Sequence, residues 1–193
     1  MVQAVTRSDI VSSEREPLIL VDSQDREIGA LDKSACHDGL GLLHRAFSLF
    51  VFNPARELLI QQRAPGKRLW PSYWSNSCCS HPRAGEEMDQ AVDRRLLQEL
   101  GLRATLQFVY KFEYVARYRE LGSEHELCSV YVGWTEDQPV INTTEISDWR
   151  WMAPEALSRE LDEHDDRFTP WFKLEWARLR QEFGDDLAGL GRL

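Results

Sequence analysis

The run Ala46-Phe47-Ser48-Leu49-Phe50-Val51-Phe52 constrains the fold more than any other stretch. Phe, Val and Leu in an unbroken row favour a strand. Asn53-Pro54-Ala55-Arg56 follows as a turn, and Glu57 to Gln62 returns as the partner strand. Shorter strands are expected at Leu18–Val21, at Glu27–Leu31 and near Trp149–Met152, and longer ones at Leu106–Tyr118 and Glu124–Trp134. A helix of about 15 residues is expected between Gly85 and Gly101, because Met88, Ala91, Val92, Leu96 and Leu100 repeat at helical spacing. Glu86, Glu87 and Asp89 suit its positive end, and Gly101 suits its stop. Pro154 can open a helix ending near Leu161, and Pro170 one running through Phe183. Strands mixed with a few helices predict an α/β fold, one mixed sheet flanked by helices in a single domain. Residues 1–16 are polar and aperiodic and read as a flexible N-terminal tail. The folded domain is expected over 17–183, with 184–193 as a C-terminal tail.

The chain has 193 residues and a formal net charge of −9. An acidic chain of this kind is a poor clamp for nucleic acid, although one local basic pocket for an anion is still allowed. No apolar run approaches the roughly 18 to 20 residues of a membrane span. The N-terminus, broken by Arg7, Asp9, Glu14, Arg15 and Glu16, lacks a signal-peptide core, so a cytoplasmic location is expected. Cys36, Cys78, Cys79 and Cys128 form no C-x-x-C pair and read as reduced thiols.

The stretch Ser75-Asn76-Ser77-Cys78-Cys79-Ser80-His81-Pro82 offers a thiol and an imidazole two residues apart. In an extended segment such residues share a side. Cys79 and His81 should therefore face one cavity, with Cys78 facing away. Glu124-His125-Glu126 presents a second such pattern. Its two carboxylates share a strand face about 6.6 Å apart, and repel unless a cation or a proton lies between them. His125 points the other way, and Cys128 reads as a buried thiol. Two carboxylates with two or three imidazoles make a divalent-metal site. Spacing alone does not bring His37, His44 and His81 to Glu124 and Glu126, and a solvated strand edge would explain the pair as well.

Ser80-x5-Glu86-x7-Arg94-Arg95-Leu96-x-Gln98-Glu99-x-Gly101-Leu102 has the spacing of the Nudix box, whose helix carboxylates hold a divalent ion on diphosphate oxygens. Here the box is eroded. Ser80 stands for its first Gly, and Arg95 and Gln98 each stand for a Glu. A diphosphate hydrolase needs those carboxylates to hold metal and activate water. Diphosphate binding survives the change better than hydrolysis does.

Together with this box, the chain from about Leu18 to Leu179 resembles type I isopentenyl diphosphate isomerase, a Nudix-fold family. The resemblance rests on His37 and His44, Arg45-Ala46-Phe47-Ser48, Gln62-Arg63-Ala64 with Lys67, and Trp70-Pro71. It continues through Trp74-Ser75-Asn76-Ser77, Cys79-Ser80-His81-Pro82, Arg94-Arg95 with Glu99-Leu100-Gly101, Tyr114, Glu124-His125-Glu126-Leu127-Cys128 and Thr169-Pro170-Trp171. Ser80 departs from the Gly common in such a chain, without removing a reactive group.

The resemblance implies a Nudix-like sheet and the interconversion of isopentenyl and dimethylallyl diphosphates in isoprenoid biosynthesis. It implies Cys79 and Glu126 as proton-transfer groups on opposite faces, Tyr114 assisting Glu126, and Trp171 as an indole lid. It implies a Mn²⁺ or Zn²⁺ held by His37, His44, His81, Glu124 and Glu126. It further implies Mg²⁺ bound with the diphosphate by Glu99 and the main-chain carbonyl of Cys79, among Lys33, Arg63, Lys67 and Arg95. The expected partner is a small isoprenoid diphosphate, with no nucleic acid or membrane, and the chain is expected as a monomer or homodimer. Two rivals are a Nudix diphosphohydrolase and a non-catalytic metal-stabilised binding module.

Overall fold

The computed structural model describes residues 7–184 and Leu187. The hairpin β1 (Pro17–Val21) and β2 (Glu27–Asp32) leads through the single-turn α1 (Lys33–Cys36) into β3 (His44–Phe52). β4 (Leu58–Arg63) returns, and two short strands follow, β5 (Trp74–Ser75) and β6 (Cys78–Ser80). α2 (Met88–Leu100) precedes the long pair β7 (Thr105–Tyr118) and β8 (Gly122–Trp134). β9 (Ile146–Met152), α3 (Pro154–Glu163) and α4 (Pro170–Phe183) complete the order.

β3 is the axis of the sheet. It pairs antiparallel with β1, β4 and β6, and parallel with β8 from His44↔Glu126 to Phe52↔Trp134. Both its faces are buried, which is why its sequence is a continuous apolar run rather than an alternating one. Phe47, Leu49 and Val51 pack with Ala91, Val92, Leu96 and Leu100 of α2. Ala46, Phe50 and Phe52 pack on the other face with Phe172, Trp176 and Leu179 of α4. The expected α/β arrangement, one mixed sheet between helices, is the one observed.

Local differences have local reasons. α2 starts at Met88, so it has 13 residues. Of the three acids expected at its positive end, only Asp89 lies in the first turn. Glu86 instead holds Arg94, at 2.6 and 2.7 Å. Gly101 ends the helix with φ +65°, where a Cβ would lie 2.9 Å from that of Val140. The stretch Lys33 to Leu43 contains a helical turn, and His44 opens β3. Residues 7–16, read from composition as part of a tail, are tied down. Asn142 Nδ2 donates to Asp9 O at 2.7 Å, and Arg95 Nη1 to Val11 O at 2.8 Å. Residues 1–6 lie outside the described residues, as does the C-terminal tail beyond Gly184 apart from Leu187. Among the described residues no helix is long and apolar enough to cross a membrane.

One charged group sits in the α4 side of the core. Glu175 is fully buried, with Oε1 3.5 Å from Cys128 Sγ and Oε2 without a partner. Burial raises its carboxyl from 4.5 to about 8. The unfolded chain ionises Glu175 first, so its contribution to stability is full below 4.5 and is lost as pH rises towards about 8. At about 1.4 kcal/mol per unit, the loss between pH 5.5 and 8 is at most about 3 kcal/mol. Glu175→Gln is expected to flatten this part of the pH dependence of the urea midpoint. An identical slope in both proteins would contradict the assignment.

Candidate active site

The register of the sheet builds the site. His44 pairs with Glu126 across β3 and β8, Ser48 pairs with Cys79 across β3 and β6, and Tyr114 pairs with Glu126 across β7 and β8. Directly paired residues share a face, so these side chains project from the side that α4 covers. Alternation turns Cys78 to the opposite face, where it joins the α2 core, and turns His125 outward to Glu113. The tight β7–β8 turn fixes His37. Gly122 has φ +157°, and a Cβ there would stand 2.3 Å from His37 O. Ser123 N donates to that same carbonyl at 2.9 Å.

Five side chains converge from this scaffold. His37, His44, His81, Glu124 and Glu126 offer ligand atoms within 4.8 Å of one another. His81 Nε2 lies 2.9 Å from Glu126 Oε1, and His37 Nε2 lies 3.2 Å from His44 Nε2. His44 Nδ1 donates to Leu42 O at 2.7 Å, which leaves its Nε2 lone pair facing the cluster. Burial, with His37 beside it, lowers His44 to about 4. Burial and the neighbouring His44 likewise hold His81 well below its ordinary value. These rings are therefore neutral near pH 7, the form that ligates a metal. Glu124 Oε2 is 2.9 Å from His37 Nε2, yet it is buried and accepts no aligned hydrogen bond. An orphaned carboxylate oxygen beside His37, with the neutral rings of His44 and His81 close by, fits a divalent ion. The carboxylate pair adds to the case. Burial and the charge of Glu124 drive Glu126 up, whereas His37 pulls Glu124 down against the effect of burial. A cation between them would relieve that repulsion.

Beside the cluster lies a cleft lined by Cys79, His81, Tyr114, Glu124, Glu126 and Trp171. Cys79 Sγ donates to Asn76 Oδ1 at 2.7 Å and accepts from Trp171 Nε1 at 3.1 Å. Burial, reinforced by Glu175, pushes the thiol up to about 12, so it keeps its proton at neutral pH. Tyr114 Oη donates to Glu126 Oε2 at 2.6 Å. The Tyr114 and Trp171 rings are 6.2 Å apart. The indole and the phenol thus connect the thiol to the carboxylate along one wall.

Four cations were expected near a diphosphate, and the structure separates them. Lys33, Arg63 and Lys67 line the cleft. Arg63 spends its hydrogen bonds on Trp70 O and Leu69 O, at 3.0 and 2.9 Å, and lies 5.4 Å from the Trp171 ring centre. Lys67 is paired with Glu145. Arg95 does not line the cleft. It is 2% exposed and grips Glu99 at 2.9 and 2.6 Å. Glu99 is likewise buried and absent from the cleft wall. Both belong to α2, on the sheet side that Cys78 faces, so the backbone of β6 stands between them and the thiol. Glu14 and Arg68 also line the cleft, though neither was expected there. Glu14 lies in the stretch 1–16, whose polar, aperiodic sequence reads as a tail.

Sheet, helices and site together define a Nudix-type protein, and residues 42–172 match the NUDIX domain model. The chain belongs to the isopentenyl-diphosphate Delta-isomerases of that family, and is an isomerase. It is 43% identical over 174 residues to isopentenyl-diphosphate Delta-isomerase 1 of Photorhabdus laumondii, covering 89% of this chain and 99% of the relative. It is 40% identical to the isopentenyl-diphosphate Delta-isomerase of Halorhodospira halophila, covering 86% and 94%. The crystal structure of DR0079 from Deinococcus radiodurans superposes with a TM-score of 0.68 at 22% identity, covering 84% of this chain and 98% of that one. That last likeness is one of fold.

Proposed function

We propose that this chain interconverts isopentenyl and dimethylallyl diphosphates by adding a proton to one carbon and removing one from another. One observation carries the reading. An un-ionised thiol, Cys79, and the Glu126 carboxyl, which a bound divalent ion would hold as carboxylate, open onto the same cleft and are bridged by an indole and a phenol. Cys79 S–H gives its proton to the terminal CH₂ of the alkene, leaving a tertiary carbocation. Glu126 takes a proton from the CH₂ on the other side of that centre, and the electron pair of that C–H bond becomes the new double bond. Tyr114 holds the receiving carboxylate by its hydroxyl. Trp171 offers its π face to the cation, worth about 2 kcal/mol when water is excluded. His37, His44, His81, Glu124 and Glu126 would hold a divalent ion such as Mn²⁺ or Zn²⁺, whose positive charge would orient Glu126 and tune its acidity.

Lys33, Arg63 and Lys67 take the diphosphate. Mg²⁺ arriving with it would use the Cys79 carbonyl and would have to draw Glu99 from Arg95, a small set that suits an ion keeping water and phosphate oxygens as its other ligands. Hydrolysis is the poorer reading, because Arg95 and Gln98 stand where the box carries carboxylates that hold metal and activate water. Isopentenyl diphosphate incubated in D₂O with Mg²⁺ and Mn²⁺ is expected to yield deuterated dimethylallyl diphosphate. Phosphate release without isomerisation would overturn the proposal.

A further inference from the structure

The diphosphate end contains a carboxylate with no assigned role. Glu145 is 2% exposed and lies where three segments meet. Its Oε2 pairs with Lys67 Nζ and lies 3.4 Å from Arg95 Nη2, and its Oε1 accepts from Ser12 Oγ. Its main chain is fixed as well. Ala64 N donates to Glu145 O at 2.9 Å, tying it to the loop that carries Arg63 and Lys67. Glu145 N donates to Asn142 O at 3.0 Å, and Asn142 N donates to Glu99 O at 2.8 Å, which ties it to α2.

This placement answers a physical problem. Lys33, Arg63 and Lys67 line one cleft and repel one another when no anion is bound. Lys67 has three rotatable donors on a flexible stem, so repulsion alone would swing it out to solvent. Glu145 pairs with Lys67 but is not part of the cleft wall, so it does not occupy the place of an incoming anion.

We infer that Glu145 is a positioning residue for the diphosphate end, holding the Lys67 ammonium at the cleft wall and bracing Arg95 behind it. The inference rests on the reading that Lys33, Arg63 and Lys67 receive the diphosphate. Glu145 touches no reacting atom. Its effect falls on binding of the charged end and leaves proton transfer at the alkene alone.

The test is Glu145→Gln, made in the full chain with its metals. KM for isopentenyl diphosphate is expected to rise about 10-fold or more, with kcat within about threefold. The affinity of Mg²⁺-pyrophosphate, measured by calorimetry, should fall by the same factor. Glu145→Asp, which keeps the charge, should recover part of both. In a Lys67→Met background, Glu145→Gln should have little further effect, because the two act through one contact. A purely structural role would lower the melting temperature and the active fraction, hence kcat, without moving KM. That pattern, or unchanged pyrophosphate affinity, would overturn the inference. Should Glu145→Gln fail to fold, Glu145→Asp alone decides, since unchanged KM and pyrophosphate affinity would then count against it. Pyrophosphate binding is read without turnover, so this outcome is separable from a failure to isomerise.

Discussion

Cys79→Ser is expected to lower kcat on the order of 10³-fold or more while leaving the fold intact. General acid catalysis alone contributes roughly 10²- to 10⁴-fold, and here the acid must protonate an unactivated alkene. A hydroxyl is a much weaker acid than a thiol, and burial that already drives Cys79 up to about 12 penalises an alkoxide still more. The substitution is otherwise mild. Serine can still donate to Asn76 Oδ1 and accept from Trp171 Nε1, the two close contacts of the sulfur. KM for the substrate should change little, because the diphosphate cations do not touch the thiol. Circular dichroism and the melting temperature report the fold, and a steady-state assay reports turnover. A serine variant with near-normal kcat would remove Cys79 from proton transfer and would favour a metal-stabilised binding module.

Glu126→Gln is expected to be at least as damaging, because one carboxylate serves two purposes. It is the acceptor opposite Cys79, and its Oε1 also faces the imidazoles of His81 and His44 at 2.9 and 3.8 Å. An amide cannot take up the proton, and it brings no negative charge to the ion. Turnover should fall on the order of 10³-fold or more. Metal content should also drop at limiting metal, and a supplement of Mn²⁺ or Zn²⁺ should refill the site without restoring turnover. Activity restored by metal alone would confine Glu126 to ligation. The amide is close in shape to the carboxylate, so Tyr114 Oη keeps an acceptor in place of Glu126 Oε2 and folding is expected to persist.

Much of this site was legible because strand alternation is a local rule. Two-residue spacing put Cys79 with His81 and Glu124 with Glu126, and turned Cys78 and His125 away. That reading needed only an extended backbone, although β6 is just three residues long and was not foreseen as a strand. The sheet was legible because Ala46–Phe52 is a short apolar run rich in Phe and Val, closed by the turn Asn53–Arg56. Convergence of His37 and His44 on the carboxylates was not legible from spacing. It depends on the parallel register of β3 and β8 and on Gly122 pressing against His37 O, both long-range facts. The same holds for the division among the cations. The motif places Arg95 and Glu99 near the diphosphate, but only the fold shows them on the Cys78 side of β6. Glu145 and Glu175 carried no signal at all. A glutamate in a loop and one in a helix look like surface charges until packing buries them.

The central claim is that two different groups, on two sides of one bound alkene, give and take the proton. The stereochemical course tests it most directly. Isopentenyl diphosphate labelled stereospecifically at the alkene CH₂ and at the neighbouring CH₂ would be converted in D₂O and the product configuration determined. Addition on one face with loss from the opposite face is the predicted course. Addition and loss on the same face would mean a single shuttling group, and would contradict the assignment of Cys79 and Glu126.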